Sequence, residues 1–419
     1  MGVEDELDVS EGWLRTKPGI KWRVAGPGEL AAWVADMDFP PPPAVRRALS
    51  GLADGGDLGY PAWLLDEGSP VREAFAARMS ARYGWKPDPA HAREFTDIIQ
   101  ALQAVLYVAT RPGDAVAMHV PTYPPFLRTL AVMGRRLVPV PVEPAPAAPG
   151  APAPAVPAAG PAAPPTGPAA PPAGPHWSFD AERLERDITT AGARTLILVN
   201  PHNPTGRAFT RPELDAIAAV ADAHDLLVIA DEVHAELTYP PSTHTPFGSL
   251  PQMAGRTVTL TSATKAFNLA GIRCAVAHVG SAAIRSALAQ LPPMMLGAVS
   301  APGVTATLAA WEQDGEWLDA VLRRLAANRA IIASELGPAG IGYRPPEATY
   351  LAWLDCRGLN LPGDPAAFFL DAAGVRLSPG PDFGPGGDGF ARLNFATSER
   401  VLTEMCRRMA AAVRTTAAG

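Results

Sequence analysis

Apolar and polar residues follow one another along this chain in blocks. The segment SPVREAFAARMSARYGW (Ser69–Trp85) spaces its apolar residues along one helical face and predicts an amphipathic helix. DAVAMHVP (Asp114–Pro121) is a short apolar run ending in a turn, and RTLILVNPHNPTG (Arg194–Gly206) is another, opening into a Pro/Asn/Gly turn. RPELDAIAAVADAHD (Arg211–Asp225) returns to helical spacing. LLVIADEVH (Leu226–His234) is an apolar run that ends in charge, and RTVTLTSATK (Arg256–Lys265) repeats the strand-to-turn theme. Strands that are apolar throughout and alternate with helices predict an α/β fold with a largely parallel sheet covered on both faces. Ligands of such sheets sit beyond the C-terminal ends of the strands. Tyr123, Asn203, Asp231 and Lys265 all fall at those ends.

One stretch breaks the pattern. From about Glu143 to Pro175 the chain is nearly all Pro, Ala and Gly, with no large side chain to bury. Such a composition cannot offset its ordering entropy and predicts a disordered or polyproline-II-like insert. A proline-rich partner ligand would need basic or aromatic anchors, which the stretch lacks. The same helix–strand alternation resumes after it, so the insert interrupts one fold.

Bulk properties narrow the classes. A chain of 419 residues suits one large domain plus a smaller one. With a net charge of -7 and no basic stripe, a nucleic-acid partner is not expected. No apolar run reaches the roughly 18 residues of a membrane span. MGVEDELDVSEGW lacks the basic and apolar regions of a signal peptide. Cys274, Cys356 and Cys406 are odd in number and form no CxxC, which points to a reducing compartment and away from a structural zinc site. The expectation is a cytoplasmic protein with no metal and no membrane partner.

The strand-end residues have a joint chemistry. Lys265 stands alone among small and hydroxyl residues, and a desolvated amine can form a Schiff base with an aldehyde. Asp231 at a buried strand end is costly unless it faces a cation such as a pyridinium. Asn203 can donate to a phenolate oxygen, Tyr123 can stack on a ring, and Ser262 and Arg273 offer a hydroxyl and a guanidinium to a phosphate. Aldehyde, pyridinium, phenolate and phosphate on one ring describe pyridoxal 5′-phosphate. Each residue also has a plainer reading. Lys265 could be a turn lysine, Asp231 a helix cap, Asn203 part of a turn, Tyr123 a core aromatic and His234 a satisfied interior histidine.

At this point the chain resembles the fold-type I, class I/II aminotransferase superfamily. SATKAFNLAGIR is similar to the family's serine-x-x-lysine followed by arginine, which implies Lys265 as the Schiff-base lysine and Ser262 and Arg273 as phosphate ligands. NPHNPTGR places Asn203 toward the ring oxygen, and ADEVH gives Asp231 as the pyridine-binding acid, with His234 where many members carry a tyrosine. ARLNFATS contains Arg392, the expected clamp for a substrate carboxylate. WVADMDFPPPPAVRRAL, GYP, HTPFGSL, PEATYLAWLD and FGPGGDGFARLNFATS resemble the cystathionine β-lyase or cysteine-S-conjugate β-lyase branch (MalY/PatB type).

That resemblance implies a large domain with a mostly parallel mixed sheet between helices and a smaller α+β C-terminal domain. The implied boundaries are 1–45 for an N-terminal segment at the substrate mouth, 46–295 for the cofactor-binding domain and 296–419 for the small domain. It implies a homodimer with shared active sites, in which Tyr60 reaches the phosphate bound by the other subunit, and an amino-acid substrate. Two departures stand out. Asp97 replaces a glycine that often precedes two β-branched residues, here Ile98 and Ile99, whose backbone N–H groups should cradle the phosphate. Arg273 stands where the branch often lacks an arginine.

The implied catalytic group is Lys265 as general base, Asp231 keeping the ring protonated and Tyr123 beside the ring. β-Elimination would release pyruvate, ammonia and a thiol from cystathionine or another cysteine S-conjugate. The alternative, transfer of the amino group to a 2-keto acid, uses the same residues. A regulatory role would call for a DNA-binding domain ahead of a pattern that begins by about Trp33, and the chain leaves no room for one.

Overall fold

The computed structural model describes residues 2–65, 69–144, 177–292, 295–313 and 315–418. Its main sheet has seven strands: β1 (Ala92–Phe95), β2 (Ala115–Val120), β3 (Arg136–Pro141), β4 (Thr195–Val199), β5 (Leu227–Asp231), β6 (Thr257–Thr261) and β7 (Ala275–Val279). They are ordered β1-β7-β6-β5-β4-β2-β3, parallel throughout except for β7, which runs antiparallel to both its neighbours.

Every residue of β2, β4, β6 and β7 is buried, which is why these strands are mostly apolar, with only threonine or histidine among the polar residues. Alternate side chains enter two separate cores. Ala115, Ala117, Leu196, Leu198 and Val228 pack against Leu184 and Ile188 of α3 (Ala181–Ala191) and Leu214 and Ile217 of α4 (Arg211–Ala223). Val116, Met118, Ile197, Val199 and Ile229 pack against Leu102 and Leu106 of α1 (Ile98–Ala109) and Phe126 and Leu130 of α2 (Pro124–Val132). Helices therefore cover both faces, and the C-terminal ends of β2, β4, β5 and β6 open on one edge.

The C-terminal part builds a second, four-stranded antiparallel sheet from β8 (Gly342–Tyr343), β9 (Leu351–Asp355), β10 (Ser378–Pro379) and β11 (Phe390–Asn394), ordered β8-β9-β11-β10. Leu30–Ala31 pairs in parallel with Val375–Arg376, so the N-terminal segment docks here. Its continuation, Trp33–Phe39, is clamped by two asparagines. Asn394 Nδ2 donates to Val34 O at 2.6 Å and Asp36 O at 2.7 Å, while Asn268 Nδ2 donates to Met37 O at 3.0 Å and Phe39 O at 2.7 Å.

The Pro/Ala-rich boundary differs from the compositional reading at its start. Glu143–Pro144 pairs antiparallel with Trp177–Ser178, because Trp177 is buried against Phe390 and anchors the pair. The remainder of the insert lies outside the described residues. No helix among the described residues is long and apolar enough to cross a membrane.

The turn after β4 depends on one glycine. Gly206 has φ +70°, and a Cβ there would lie 2.2 Å from Pro346 Cβ and 3.0 Å from Ala348 O. Its carbonyl accepts from Ala348 N at 2.8 Å, tying the Asn203 turn to the small sheet. Gly206→Ala should destabilise the protein by about 2–4 kcal/mol through overpacking and a disfavoured φ. The check is a thermal melt. An unchanged midpoint would mean that residues 346–348 yield freely.

Candidate active site

Beyond the open strand ends lies a cavity of about 390 Å³. Lys265 follows β6 by one turn, Asp231 ends β5, Asn203 lies in the turn after β4, and Tyr123 precedes α2; all four line it. His234, Ser262, Arg273, Ile98 and Ile99 complete the set that meets there. A second cavity of about 640 Å³ shares Ala35, Tyr123 and Lys265 with the first and has Arg392 in its wall.

Lys265 Nζ donates to Ala35 O at 2.8 Å. Burial holds its ammonium below the ordinary lysine pKa; the Asp36 and Asp231 carboxylates oppose that shift and Arg392 adds to it. Asp231 is buried, and one of its oxygens accepts from Val233 N at 3.1 Å. It makes no ion pair among the described residues, and burial raises its pKa to about 7, with that hydrogen bond and Lys265 pulling the other way. His234 is neutral. Burial, then Lys265 and Arg392, lower its pKa to about 3, and its Nδ1 is buried without a hydrogen-bond partner among the described residues. The ring lies edge-on to Tyr350, with centroids 5.9 Å apart. Tyr123 meets Phe126 edge-on at 5.5 Å, and burial raises its phenol's pKa.

At one end of the cavity α1 begins. The first-turn N–H groups of a helix have no intrahelical acceptors, and the helix dipole adds positive potential. Ile98 and Ile99 are its first two residues. Asp97 caps it, with Oδ1 accepting from Gln100 N at 2.8 Å, and Oδ2 pairs with the Arg273 guanidinium. Asp97 thus turns into the anion cradle, not away from it. Ser262 Oγ donates to Cys274 O at 2.6 Å and accepts from Thr264 N at 3.1 Å, so its proton is already committed.

Arg392 on β11 is buried. Nη1 donates to Asn203 Oδ1 at 3.0 Å and Nη2 to Trp33 O at 3.0 Å. Its guanidinium carbon lies 4.8 Å from the Phe383 ring centroid, and Nε is buried without a partner among the described residues. Among the described residues it pairs with no carboxylate, and burial lowers its pKa to about 10. A buried cation of this kind fits an anionic ligand.

Tyr60 stands apart. It is 97% exposed, outside both cavities of its own chain, and lies among exposed Leu58, Leu64 and Leu65. Sequence reasoning missed Thr96, Gln100 and Thr264 in the first cavity and Ser378 and Phe383 in the second. The run TDIIQ after β1 was a signal for the first two, since a short polar turn opening a helix builds an anion site. Ser378 and Phe383 carry no local signal.

The family model for aminotransferase class I and II matches residues 34–409. The Mycobacterium tuberculosis (strain ATCC 25618 / H37Rv) protein named "Putative cystathionine beta-lyase" is 34% identical, covering 97% of this chain and 97% of its own. The cystathionine beta-lyase PatB of Bacillus subtilis (strain 168) is 30% identical, covering 97% of this chain and 99% of its own. The solved C-S lyase of Staphylococcus hominis, bound to pyridoxal phosphate, superposes with a TM-score of 0.83 at 25% identity, covering 97% and 98% of the two chains.

The Asp231 pKa of about 7 carries a stability consequence. The native state binds this proton more tightly than the unfolded chain, so ionisation erodes stability as pH rises from about 4 to about 7. Ligand-free Asp231→Asn should therefore melt a few degrees above ligand-free wild type at pH 8, with a smaller gain at pH 5. An equal gain at both pH values would refute the assignment.

Proposed function

Because the chain belongs to the aminotransferase class I and II family, we propose that it is a pyridoxal 5′-phosphate-dependent carbon–sulfur β-lyase acting on L-cystathionine or related cysteine S-conjugates. The observation that carries this reading is the meeting of Lys265, Asp231 and Arg392 around two connected cavities. The residues fit the cofactor. Asp231 is a buried acid without an ion-pair partner among the described residues, as a pyridinium nitrogen requires. His234 Nδ1 is a buried polar atom without a partner beside the ring site. The start of α1 with Arg273 suits a phosphate.

When bound, pyridoxal phosphate supplies an aldehyde that captures amino groups and a ring that accepts the electrons of the breaking Cα–H bond. Lys265 Nζ, in the cavity wall, would hold the cofactor between turnovers and release it to the substrate's amine. Arg392, in the wall of the second cavity, would hold the substrate carboxylate and so fix the position of Cα. The freed Lys265 amine takes the Cα proton; its lowered pKa leaves more of it neutral for that task. Asp231, ionised against a ring cation, would keep the ring nitrogen protonated. Asn203 and Tyr123, both in the cavity wall, would hold the ring's oxygen and its face.

The reaction forks at the Lys265 proton. Return of that proton to the cofactor would lead to amino transfer; loss of a thiolate from the substrate's Cβ would lead to elimination, with water releasing pyruvate and ammonia. The β-lyase names of the relatives favour elimination. So does the room beyond Lys265, where Trp33, Leu370, Leu377 and Phe383 surround about 640 Å³ that can take an S-substituent. We assign 46–295 to the cofactor domain, 296–419 to the small domain and 1–45 to the mouth. We also assign the exposed Leu58–Leu65 edge to a homodimer contact that carries Tyr60 to the partner's phosphate site.

The cofactor-loaded protein should release equal amounts of homocysteine and pyruvate from L-cystathionine with no keto acid present. Turnover only after a keto acid is added would make it an aminotransferase. Lys265→Ala should lose the visible absorbance of covalently held cofactor and slow turnover roughly 10³-fold or more. Sedimentation should give a dimer, and Tyr60→Phe should weaken cofactor retention while leaving that dimer intact. A monomer that turns over at the full rate would remove the shared-site assignment.

A further inference from the structure

We propose that Asp97 is a built-in stand-in for the cofactor's phosphate, whose carboxylate occupies the anion cradle of the ligand-free protein and competes with the incoming phosphate. This rests on the pyridoxal-phosphate reading above. The two carboxylate oxygens divide between the two cationic elements of the cradle: Oδ1 on the N–H of Gln100 in the first turn of α1, Oδ2 on the Arg273 guanidinium. Asp97, Ile98, Ile99, Ser262 and Arg273 line the same cavity as Lys265, so this cap faces the reaction site.

A second, independent sign that the cavity takes a ligand is His234, whose buried Nδ1 has no partner among the described residues. Arg273 has no other carboxylate partner among the described residues, and it projects from a backbone with φ +60°. Asp97 itself sits in extended backbone, φ -163°, which leaves its side chain free to turn out without strain. A phosphate dianion and a carboxylate cannot share one helix start and one guanidinium. Their separation there falls well inside the roughly 8 Å over which salt screens charge. The phosphate must displace Asp97 from Arg273, and part of its binding energy is consumed in doing so.

A simpler role for Asp97 predicts the opposite sign. If it only caps α1 and orients Arg273 for the phosphate, removing its charge weakens cofactor binding. The test is titration of the cofactor-stripped protein with pyridoxal 5′-phosphate and, separately, with pyridoxal, followed by protein fluorescence. Asp97→Asn keeps a side-chain helix cap and removes the charge; Asp97→Gly removes the charge and the side-chain cap bond. Both variants should bind pyridoxal phosphate about tenfold more tightly than wild type, equivalent to about 1.4 kcal/mol, with pyridoxal affinity unchanged. Inorganic phosphate should raise the melting temperature of both variants more than that of the wild type. Unchanged or weaker pyridoxal-phosphate affinity in both variants, or an equal gain for pyridoxal, would overturn the proposal while leaving the cofactor reading intact. Failure of all three proteins to bind pyridoxal phosphate would overturn that reading, and this proposal with it.

Discussion

Burying a carboxylate or an ammonium away from water costs several kcal/mol unless a partner is supplied, and Asp231 and Lys265 lie at the ends of neighbouring strands where water is scarce. Neither is neutralised by direct pairing with the other. Asp231 leans on one backbone N–H, and Lys265 on one backbone carbonyl. The seven-stranded sheet makes this arrangement affordable. Its strands are packed on both faces, so they hold their ends rigidly, and the cost of two poorly compensated charges falls on a framework with a large apolar core. The unpaired state of these groups is therefore specific information about what the cavity is built to hold.

Much of this was legible because it is local. An apolar run ending in Asp or in a Ser-x-x-Lys turn records both the strand and the functional residue at its tip, and the parallel sheet then brings four such tips together. The parts that were not legible depend on distant chain. Ala35, which receives the Lys265 hydrogen bond, comes from 230 residues away and is set by Asn394 and Asn268 acting on the Trp33–Phe39 segment. Neither asparagine looks functional in sequence, since each works by satisfying carbonyls in another segment. Ser262 looked like a phosphate ligand from its spacing, yet its hydroxyl proton goes to the Cys274 carbonyl. Spacing places a side chain; it does not decide which neighbour takes its proton. The Pro/Ala-rich stretch was visible in composition, but its first two residues pair with Trp177–Ser178 because a buried tryptophan outweighs a weak local preference.

The two ends of the site solve the same electrostatic problem differently. At the proposed carboxylate end, Arg392 is a buried cation supported by carbonyl and amide oxygens and an aromatic face, with no acid of its own among the described residues. At the proposed phosphate end, the helix start and Arg273 are already occupied by an acid from the chain itself. A neutral set of acceptors leaves Arg392 ready for an anion and costs the incoming carboxylate no exchange of partners. An internal carboxylate makes the other end selective for an anion with more charge than itself. A dianionic phosphate meets that condition and a substrate carboxylate does not.

This asymmetry bears on the order of events at Lys265. Its amine feels Arg392 as a repulsive charge and Asp36 and Asp231 as attractive ones. Under the proposed mechanism a substrate carboxylate on Arg392 cancels most of that repulsion, and the lysine becomes a stronger base than in the resting protein. The same contact that orients Cα over the ring thus raises the proton affinity of the group that must take the Cα proton. A molecule lacking the carboxylate would reach the cavity, but it would meet a weaker base and an unoriented bond. Substrate discrimination in this geometry therefore acts on the proton-transfer step as well as on binding.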